Sequence, residues 1–248
     1  VNLSDKELER YARHIVLPQV GGVGQRRLKA ASLAVVGAGG IGSSVIPALA
    51  GAGVGRLTII DDDKVELANL HRQPLFREAD AGQAKAELAA SFVRKLNRHI
   101  VVKPVQDHIG TENAKQLLAG HDLVIDGSDN FATRLAVSDA SVELGIPLVS
   151  AAAVQFQGQV GLFRSKPCYR CFVGDAFDAD DCDNCAELGV LGALSATVGS
   201  FAALLAVNAI VGIGEDQSGR IQVFDGEKLA WRVMSIPADP ACKACGSG

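Results

Sequence analysis

The run Leu33-Ala34-Val35-Val36-Gly37-Ala38-Gly39-Gly40-Ile41-Gly42 constrains the fold more than any other stretch of this chain. Its apolar, partly β-branched first half reads as a buried strand that stops at Gly37. Gly37, Gly39 and Gly42 satisfy G-x-G-x-x-G, and Gly40 adds a fourth glycine. A turn this tight needs residues without a Cβ, and the small and apolar residues that follow, up to Gly51, open a helix. The N-terminus of that helix offers unpaired N–H groups and a partial positive charge to a phosphate. A second apolar run, Leu57-Thr58-Ile59-Ile60, ends at Asp61, about 20 residues beyond the last glycine. A carboxylate at that point takes both hydroxyls of a ribose. A purely structural glycine turn is the competing reading; the strand, the helix and Asp61 in sequence favour nucleotide binding.

The alternation continues downstream. Residues 79–96 have helical periodicity and include Lys85, and residues 111–118 read as a second helix. Residues 101–105 form a strand interrupted by Pro104, which places it toward a sheet edge. Leu123-Val124-Ile125 is a short buried strand that runs into Asp126-Gly127-Ser128-Asp129-Asn130. A helix capped near Asp129 or Asn130 follows, and Gly145-Ile146-Pro147 returns the chain to a strand over 148–151. Residues 156–163 alternate imperfectly and read as an antiparallel strand. The pattern predicts an α/β fold: a Rossmann-like, doubly wound, mostly parallel sheet that continues into an antiparallel portion. Upstream, Ser4 and Glu7 form a capping box that opens a helix bearing Arg10, Tyr11, Arg13 and His14. Pro18, Gly21, Gly22 and Gly24 then break the chain. By spacing alone Arg10 and Arg13 belong to a solvated face.

Ligands of such sheets sit at the carboxyl ends of the strands, where the glycine turn, Asp61 and Asp129 all fall. Asp129 is therefore a candidate metal ligand, with a plain helix cap as the alternative. A dinucleotide pyrophosphate is largely served by a helix N-terminus. A triphosphate with a hard cation needs several side-chain cations and a carboxylate for Mg²⁺. Arg72, in the polar loop Asn69-Leu70-His71-Arg72-Gln73, and Lys85 supply the cations, and Asp129 the carboxylate, if the fold brings them together.

The chain has 248 residues, enough for one large α/β domain or two small ones, and a formal net charge of −4, which argues against nucleic acid as the main partner. Its polar start, Val1-Asn2-Leu3-Ser4-Asp5, is not a signal peptide, so a cytoplasmic location is expected. The uncharged stretch 188–214 is long enough to span a bilayer. It is rich in Gly, Ala, Ser and Thr, contains Asn208 and lacks a basic flank, so it reads as a buried helix that packs closely, across a subunit interface or within the fold, and no membrane partner is expected. Cysteines occur as C-x-x-C pairs. Cys168 and Cys171 with Cys242 and Cys245 form a Cys₄ set for a structural zinc, because each two-residue spacer lets both thiolates face one ion. Reduced thiols or a redox pair are the alternatives. A third pair, Cys182 and Cys185, offers ligands, a disulfide or a nucleophile. Asp178, Asp180, Asp181 and Asp183 crowd it, and negative neighbours raise a thiol pKa.

Several stretches together resemble the ThiF/MoeB/HesA family of adenylating enzymes, bacterial relatives of the ubiquitin-activating enzymes. They are Arg10-Tyr11-Ala12-Arg13-His14, the glycine turn, Asp61 with Asn69-Leu70-His71-Arg72-Gln73, Gly82-Gln83-Ala84-Lys85, Asp126-Gly127-Ser128-Asp129-Asn130, Pro167-Cys168-Tyr169-Arg170-Cys171 and Asn184-Cys185-Ala186-Glu187-Leu188-Gly189-Val190. The resemblance covers nearly the whole chain and implies a single adenylating domain over 1–248. Its parts are an N-terminal helical arm (1–30), a nucleotide-binding part (31–151) and a carrier-binding and zinc part (152–248). It implies that Mg·ATP adenylates the C-terminal Gly-Gly carboxylate of a small ubiquitin-like sulfur-carrier protein and releases pyrophosphate, the step before thiocarboxylate formation for thiamine or molybdopterin. By match, Asp61 holds the ribose, Asn69, Arg72 and Lys85 hold the phosphates, and Asp129 serves the magnesium. Arg13 then reaches the triphosphate of the neighbouring subunit of a homodimer, against its solvated-face reading. Cys185 matches a cysteine whose acyl or persulfide role varies between members. Gly192-Ala193, where a proline commonly follows the Gly-Val motif, and the added Cys182 depart from many relatives. With no appended sulfurtransferase domain, a separate persulfide donor is implied.

Rival readings make different demands. An NAD-dependent oxidoreductase leaves Arg72, Lys85 and Asp129 without a task. Adenylation of a carboxylate on modified tRNA fits the acidic balance and the Cys₄ pattern less well than a protein carrier. A non-catalytic, zinc-stapled carrier-binding protein has no use for intact nucleotide residues.

Overall fold

We describe residues 2–174 and 188–246 of a computed structural model of the chain. Cys182, Cys185 and the surrounding aspartates lie outside the described residues.

A mixed eight-stranded sheet runs in the order β3-β2-β1-β4-β5-β6-β7-β8. Its strands are β1 (Ser32–Val36), β2 (Arg56–Ile60), β3 (Val101–Val105), β4 (Leu123–Asp126), β5 (Leu148–Val154), β6 (Gln157–Phe163), β7 (Arg220–Asp225) and β8 (Ala230–Ser235). β3 through β5 are mutually parallel, and every pairing from β5 to β8 is antiparallel. Pro104 lies on β3, the edge strand, where its missing N–H breaks no ladder.

Alternation along each central strand feeds two cores. Leu33, Val35, Leu57, Ile59 and Ile125 face one side, while Ala34, Val36, Ile60 and Val124 face the other. The first side is covered by α4 (Gly42–Ala52), α5 (Lys85–Leu96) and the long α9 (Gly192–Val211); the second by α6 (Ala114–Leu118), α7 (Phe131–Leu144) and α8 (Tyr169–Val173). β1 and β2 run out on one side of the reversal in strand order and β4 and β5 on the other, so a crevice opens between the carboxyl ends of β1 and β4.

Residues 192–211 are long and apolar enough to cross a membrane by length and composition, yet α9 lays its inner face on the sheet and on α4. Small residues permit this approach. A Cβ on Gly199 would stand 2.6 Å from the Ile41 carbonyl, and one on Gly158 of β6 would meet Val198 at 2.2 Å.

The N-terminal arm departs from expectation. The capping box is present: the Glu7 carboxylate accepts from Ser4 N–H at 2.9 Å, and Glu7 N–H donates to Ser4 Oγ. However, the helix divides at Tyr11 into α1 (Asp5–Arg10) and α2 (Ala12–Ile15), and the glycines at 21, 22 and 24 do not break the chain. They lie inside α3 (Gly21–Ala30), because tertiary packing outweighs glycine's poor helix propensity. A Cβ on Gly24 would meet Val211 of α9 at 2.7 Å. The helix expected over 79–96 is likewise shorter. Gly82 takes a left-handed conformation, its N–H bonds the Val65 carbonyl, and α5 begins only at Lys85.

One buried ion pair fastens this arm. Glu7 is 3% exposed and lies 2.6 Å from Lys29 Nζ on α3. Burial by itself raises the Glu7 pKa, but Lys29 and the N–H and hydroxyl of Ser4 outweigh it and hold the carboxyl at about 2. A carboxyl depressed on folding stabilises the native state above its unfolded pKa near 4.5, and that contribution is lost as pH falls toward about 2. Glu7→Gln should therefore lower stability at pH 7 by roughly 2 kcal/mol and flatten the loss of stability between pH 4.5 and 2. Urea denaturation at stepped pH measures both; an unchanged midpoint at pH 7 would contradict the assignment.

Candidate active site

The crevice at the strand reversal is a cleft of about 830 Å³. β1 delivers the glycine turn to its floor. Gly37 has φ +87°, and a Cβ there would sit 3.1 Å from the Gly127 carbonyl; a Cβ on Gly42 would stand 2.2 Å from the Gly37 carbonyl. Gly37 and Gly42 thus let three backbone segments touch. Gly37, Gly39 and Gly40 line the cleft, whereas Gly42 sits behind the turn as the first residue of α4. The start of α4 has no side-chain cap; the Ser43 and Ser44 N–H groups bond the Gly39 and Ile41 carbonyls, and the dipole of the helix still favours an anion at its mouth.

β2 ends at Asp61 on the cleft wall. Asp61 Oδ2 accepts from Ala38 N–H at 2.7 Å and Oδ1 from Asp63 N–H at 2.9 Å, so each oxygen keeps a further lone pair. Burial raises its pKa to about 6, against the opposing pull of the Ala38 N–H and the Lys85 charge. The Leu67–Asn69 turn places Asn69, whose Oδ1 accepts from Arg72 at 2.9 Å; the other guanidinium nitrogen lies 2.9 Å from His71 Nε2. Lys85, the first residue of α5, reaches the cleft with a largely buried side chain and pairs with Asp63 at 2.7 Å.

β4 supplies the opposite wall through the loop after Asp126. Asn130, not Asp129, caps α7, accepting from Thr133 N–H at 3.0 Å. The exposed Asp129 carboxylate lines the cleft and is not used by the helix. Buried Asp126 shapes this loop by accepting from the Ser128 N–H at 2.9 Å and hydroxyl at 2.7 Å, and Arg134 bonds the Ser128 carbonyl. Asp61, Asn69, Arg72, Lys85 and Asp129 thus share one cleft. Arg13, exposed on α2, is not on the cleft wall of its own chain.

Sequence reasoning passed over Asp63, Gln73, Ser128 and Arg134 as individuals. Gln73 and Ser128 fell inside motifs that were recognised whole. Nothing in its spacing marks Asp63 as the partner of Lys85, twenty-two positions away. A second hollow of about 470 Å³, along α9 near Leu204, Asn208 and Gln217, is lined by none of the motif residues.

The four cysteines 168, 171, 242 and 245 meet on the far side of the sheet, with all sulfurs within 4.8 Å of one another. Cys168 and Cys242 Sγ are 3.5 Å apart, and Cys171 and Cys245 Sγ 3.4 Å. A tetrahedral thiolate site with bonds of about 2.3 Å has sulfur–sulfur edges of about 3.8 Å, so the set fits a thiophilic cation after a small expansion. Burial pushes the Cys168 thiol up; in Cys242, N–H groups of Cys245 and Ala244 overcome burial and bring the thiol down to about 7.

The fold places the chain in the Rossmann-like α/β class. The ThiF family model matches residues 11–244. A sulfur carrier protein adenylyltransferase from Thermus thermophilus is 43% identical over 97% of this chain and 92% of the relative. A molybdopterin-synthase adenylyltransferase from Salmonella typhimurium is 37% identical over 98% of each. The crystal structure of E. coli MccB with MccA-N7isoASN superposes with a TM-score of 0.86 over 99% of this chain and 76% of that one; at 22% identity this is a likeness of fold alone. The chain belongs to the ThiF family and, by identity over nearly its full length, to its adenylyltransferases.

The raised Asp61 pKa has a measurable consequence. A protonated carboxyl cannot accept from both hydroxyls of a ribose while keeping its backbone bonds. On the expectation that Asp61 holds a ribose, adenosine affinity should be constant above about pH 7 and fall as pH drops through about 6, reaching roughly tenfold loss near pH 5. Asp61→Asn should bind weakly with no such pH dependence. Calorimetric titration with adenosine reads both, and a flat profile in the parent protein would remove Asp61 from the ribose.

Proposed function

We propose that this protein uses Mg·ATP to adenylate the C-terminal Gly-Gly carboxylate of a small ubiquitin-like sulfur-carrier protein. The observation that supports this reading best is the convergence of Asp61, Asn69, Arg72, Lys85 and Asp129 on one cleft at the mouth of an uncapped helix. A dinucleotide would leave the two cations and Asp129 idle. The relatives' sulfur-carrier and molybdopterin-synthase adenylyltransferase names support the same chemistry.

Asp61 accepts from the ribose hydroxyls. The α4 N-terminus, Asn69, Arg72 and Lys85 hold the triphosphate so that the carrier carboxylate reaches the α-phosphorus in line with the departing pyrophosphate. Cations at fixed positions stabilise charge developing on the phosphoryl oxygens, and positioning supplies most of the acceleration. Asp129 would hold a Mg²⁺ ion, which neutralises phosphate charge when bound. The products are an acyl-adenylate and pyrophosphate. Sulfur then comes from a separate persulfide donor, and Cys185 is the candidate thiol of that later step. The pathway served is of the thiamine or molybdopterin type, in the cytoplasm.

Cys168, Cys171, Cys242 and Cys245 would hold a zinc ion that closes the C-terminal tail onto the middle of the chain. With four thiolates it has no open position and a structural task. The chain acts as one adenylating domain with the arm, nucleotide and carrier parts outlined above. The family resemblance implies a homodimer in which Arg13 reaches the partner's site; Arg13 is exposed and off its own cleft, as that reading requires, and the outer side of α9, where Leu204 is 55% exposed, is the apolar surface to bury.

Pyrophosphate exchange into ATP should require Mg²⁺ and a Gly-Gly-ended carrier, and Asp129→Ala should reduce it at least a hundredfold with the fold intact. Parental exchange in that variant would refute the assigned role.

Mixing inactive Arg13→Ala and Lys85→Ala proteins should restore about one good site per mixed dimer, read as recovered exchange. No recovery, with subunit exchange verified by mass spectrometry, would show that Arg13 does not act across the interface.

A further inference from the structure

Two of the cations that line the cleft, Arg72 and Lys85, are held differently. Arg72 rests on the amide oxygen of Asn69 and the His71 imidazole, neither of which carries negative charge. Lys85 rests on a carboxylate. Its side chain is only 4% exposed, and Asp63 Oδ2, 2.7 Å away, is its one hydrogen-bond partner among the described residues. The Asp63 side chain is by contrast 65% exposed.

This asymmetry separates two tasks. The stem of Lys85 is packed at the start of α5, so the helix and the core aim the ammonium without help from Asp63. What the ammonium needs is a counter-charge in direct contact: the Asp61 carboxyl lies within its field, but among the described residues Asp63 alone forms an ion pair with it, and leaving a buried cation without one is costly. The backbone of Asp63 is fastened independently, its N–H to Asp61 Oδ1 at 2.9 Å and its carbonyl to Lys85 N–H at 3.0 Å. Only the carboxylate group is free to swing into solvent. The exposed carboxylate regains its hydration on leaving, whereas the buried ammonium must keep a counter-charge, so an incoming polyanion can take the place of Asp63.

We propose that Asp63 is a placeholder anion: it neutralises Lys85 while the phosphate site is empty, yields the ammonium to the incoming phosphates, and reclaims it as pyrophosphate departs. The inference rests on the reading that Lys85 binds phosphate. It adds a residue that acts against nucleotide affinity and in favour of product release. Occupying the cleft then requires breaking one ion pair, and the carboxylate, left close to the phosphates, repels them.

The isosteric Asp63→Asn variant removes the charge and keeps the shape and the backbone anchors. Three readouts are expected together. Without ligand, the melting temperature falls by about 2–4 °C, because Lys85 loses its counter-charge. ATP and inorganic pyrophosphate bind about five- to tenfold more tightly by calorimetry, so the ligand-induced thermal shift grows. Adenosine, which has no phosphate, binds with unchanged affinity. A structural role for Asp63 predicts the lower melting temperature without tighter ATP binding. A role in aiming Lys85 predicts weaker ATP binding. Either result overturns the proposal while leaving ATP as the substrate. Failure of the parent protein to bind ATP at all overturns the phosphate assignment of Lys85, and this inference with it.

Discussion

The cleft depends on backbone touching backbone. Gly37 lies against Gly127 and Ser128, where a Cβ would be crowded at 3.1–3.2 Å, and Gly42 against the Gly37 carbonyl, where one would collide at 2.2 Å. β1 and β4 are paired up to Val36 and Asp126, and this contact lets the turn after β1 and the loop after β4 pass closely beyond the strand ends, where Asp61 and Asp129 line the cleft. A side chain at Gly37 would meet both a left-handed backbone and the opposite loop, so the site would change before any charged residue was altered.

Around that contact, charge is arranged with little water to screen it. Asp61 is 8% exposed, and two backbone N–H groups moderate the cost of burying its carboxylate. Asp126, fully buried, spends one oxygen on the Ser128 N–H and hydroxyl, which turns the loop so that Asn130 caps α7 and Asp129 does not. Arg134 bonds the Ser128 and Ala151 carbonyls and the Ser150 hydroxyl, tying the loop to β5. The loop that carries Asp129 is thus positioned by Asp126, which does not line the cleft, and by Arg134, which does.

The antiparallel half of the sheet is joined to this apparatus from both sides. α9 spans β5 and β6 and packs on α4, the helix whose N-terminus faces the cleft. On the other face, Arg170 beside the cysteine cluster makes two 2.7 Å bonds to Asp139 of α7. Two of the helices that begin at the cleft are therefore braced from the second half of the chain, α4 by small residues and α7 by an ion pair.

The sequence alone determined the parallel α/β order, the edge position of the Pro104 strand, the antiparallel continuation and the closeness of the two thiols within each cysteine pair. Each of these follows from local periodicity, turn chemistry or a two-residue spacer, which depend on neighbours in the chain. Asp61, Arg72, Lys85 and Asp129 were legible as residues of the right chemistry at the right strand ends. Their convergence was not, because it depends on β1 pairing with β4 and on the turn after β1 packing against the loop after β4, ninety residues away. Tertiary structure also decided that Gly21 to Gly24 belong to a helix, that α5 starts at Lys85, and that Asn130 takes the cap. In each case a packing partner from a distant segment outweighed the local preference: Val211 for Gly24, the Val65 carbonyl for Gly82, and Asp126 with Arg134 for the loop before α7.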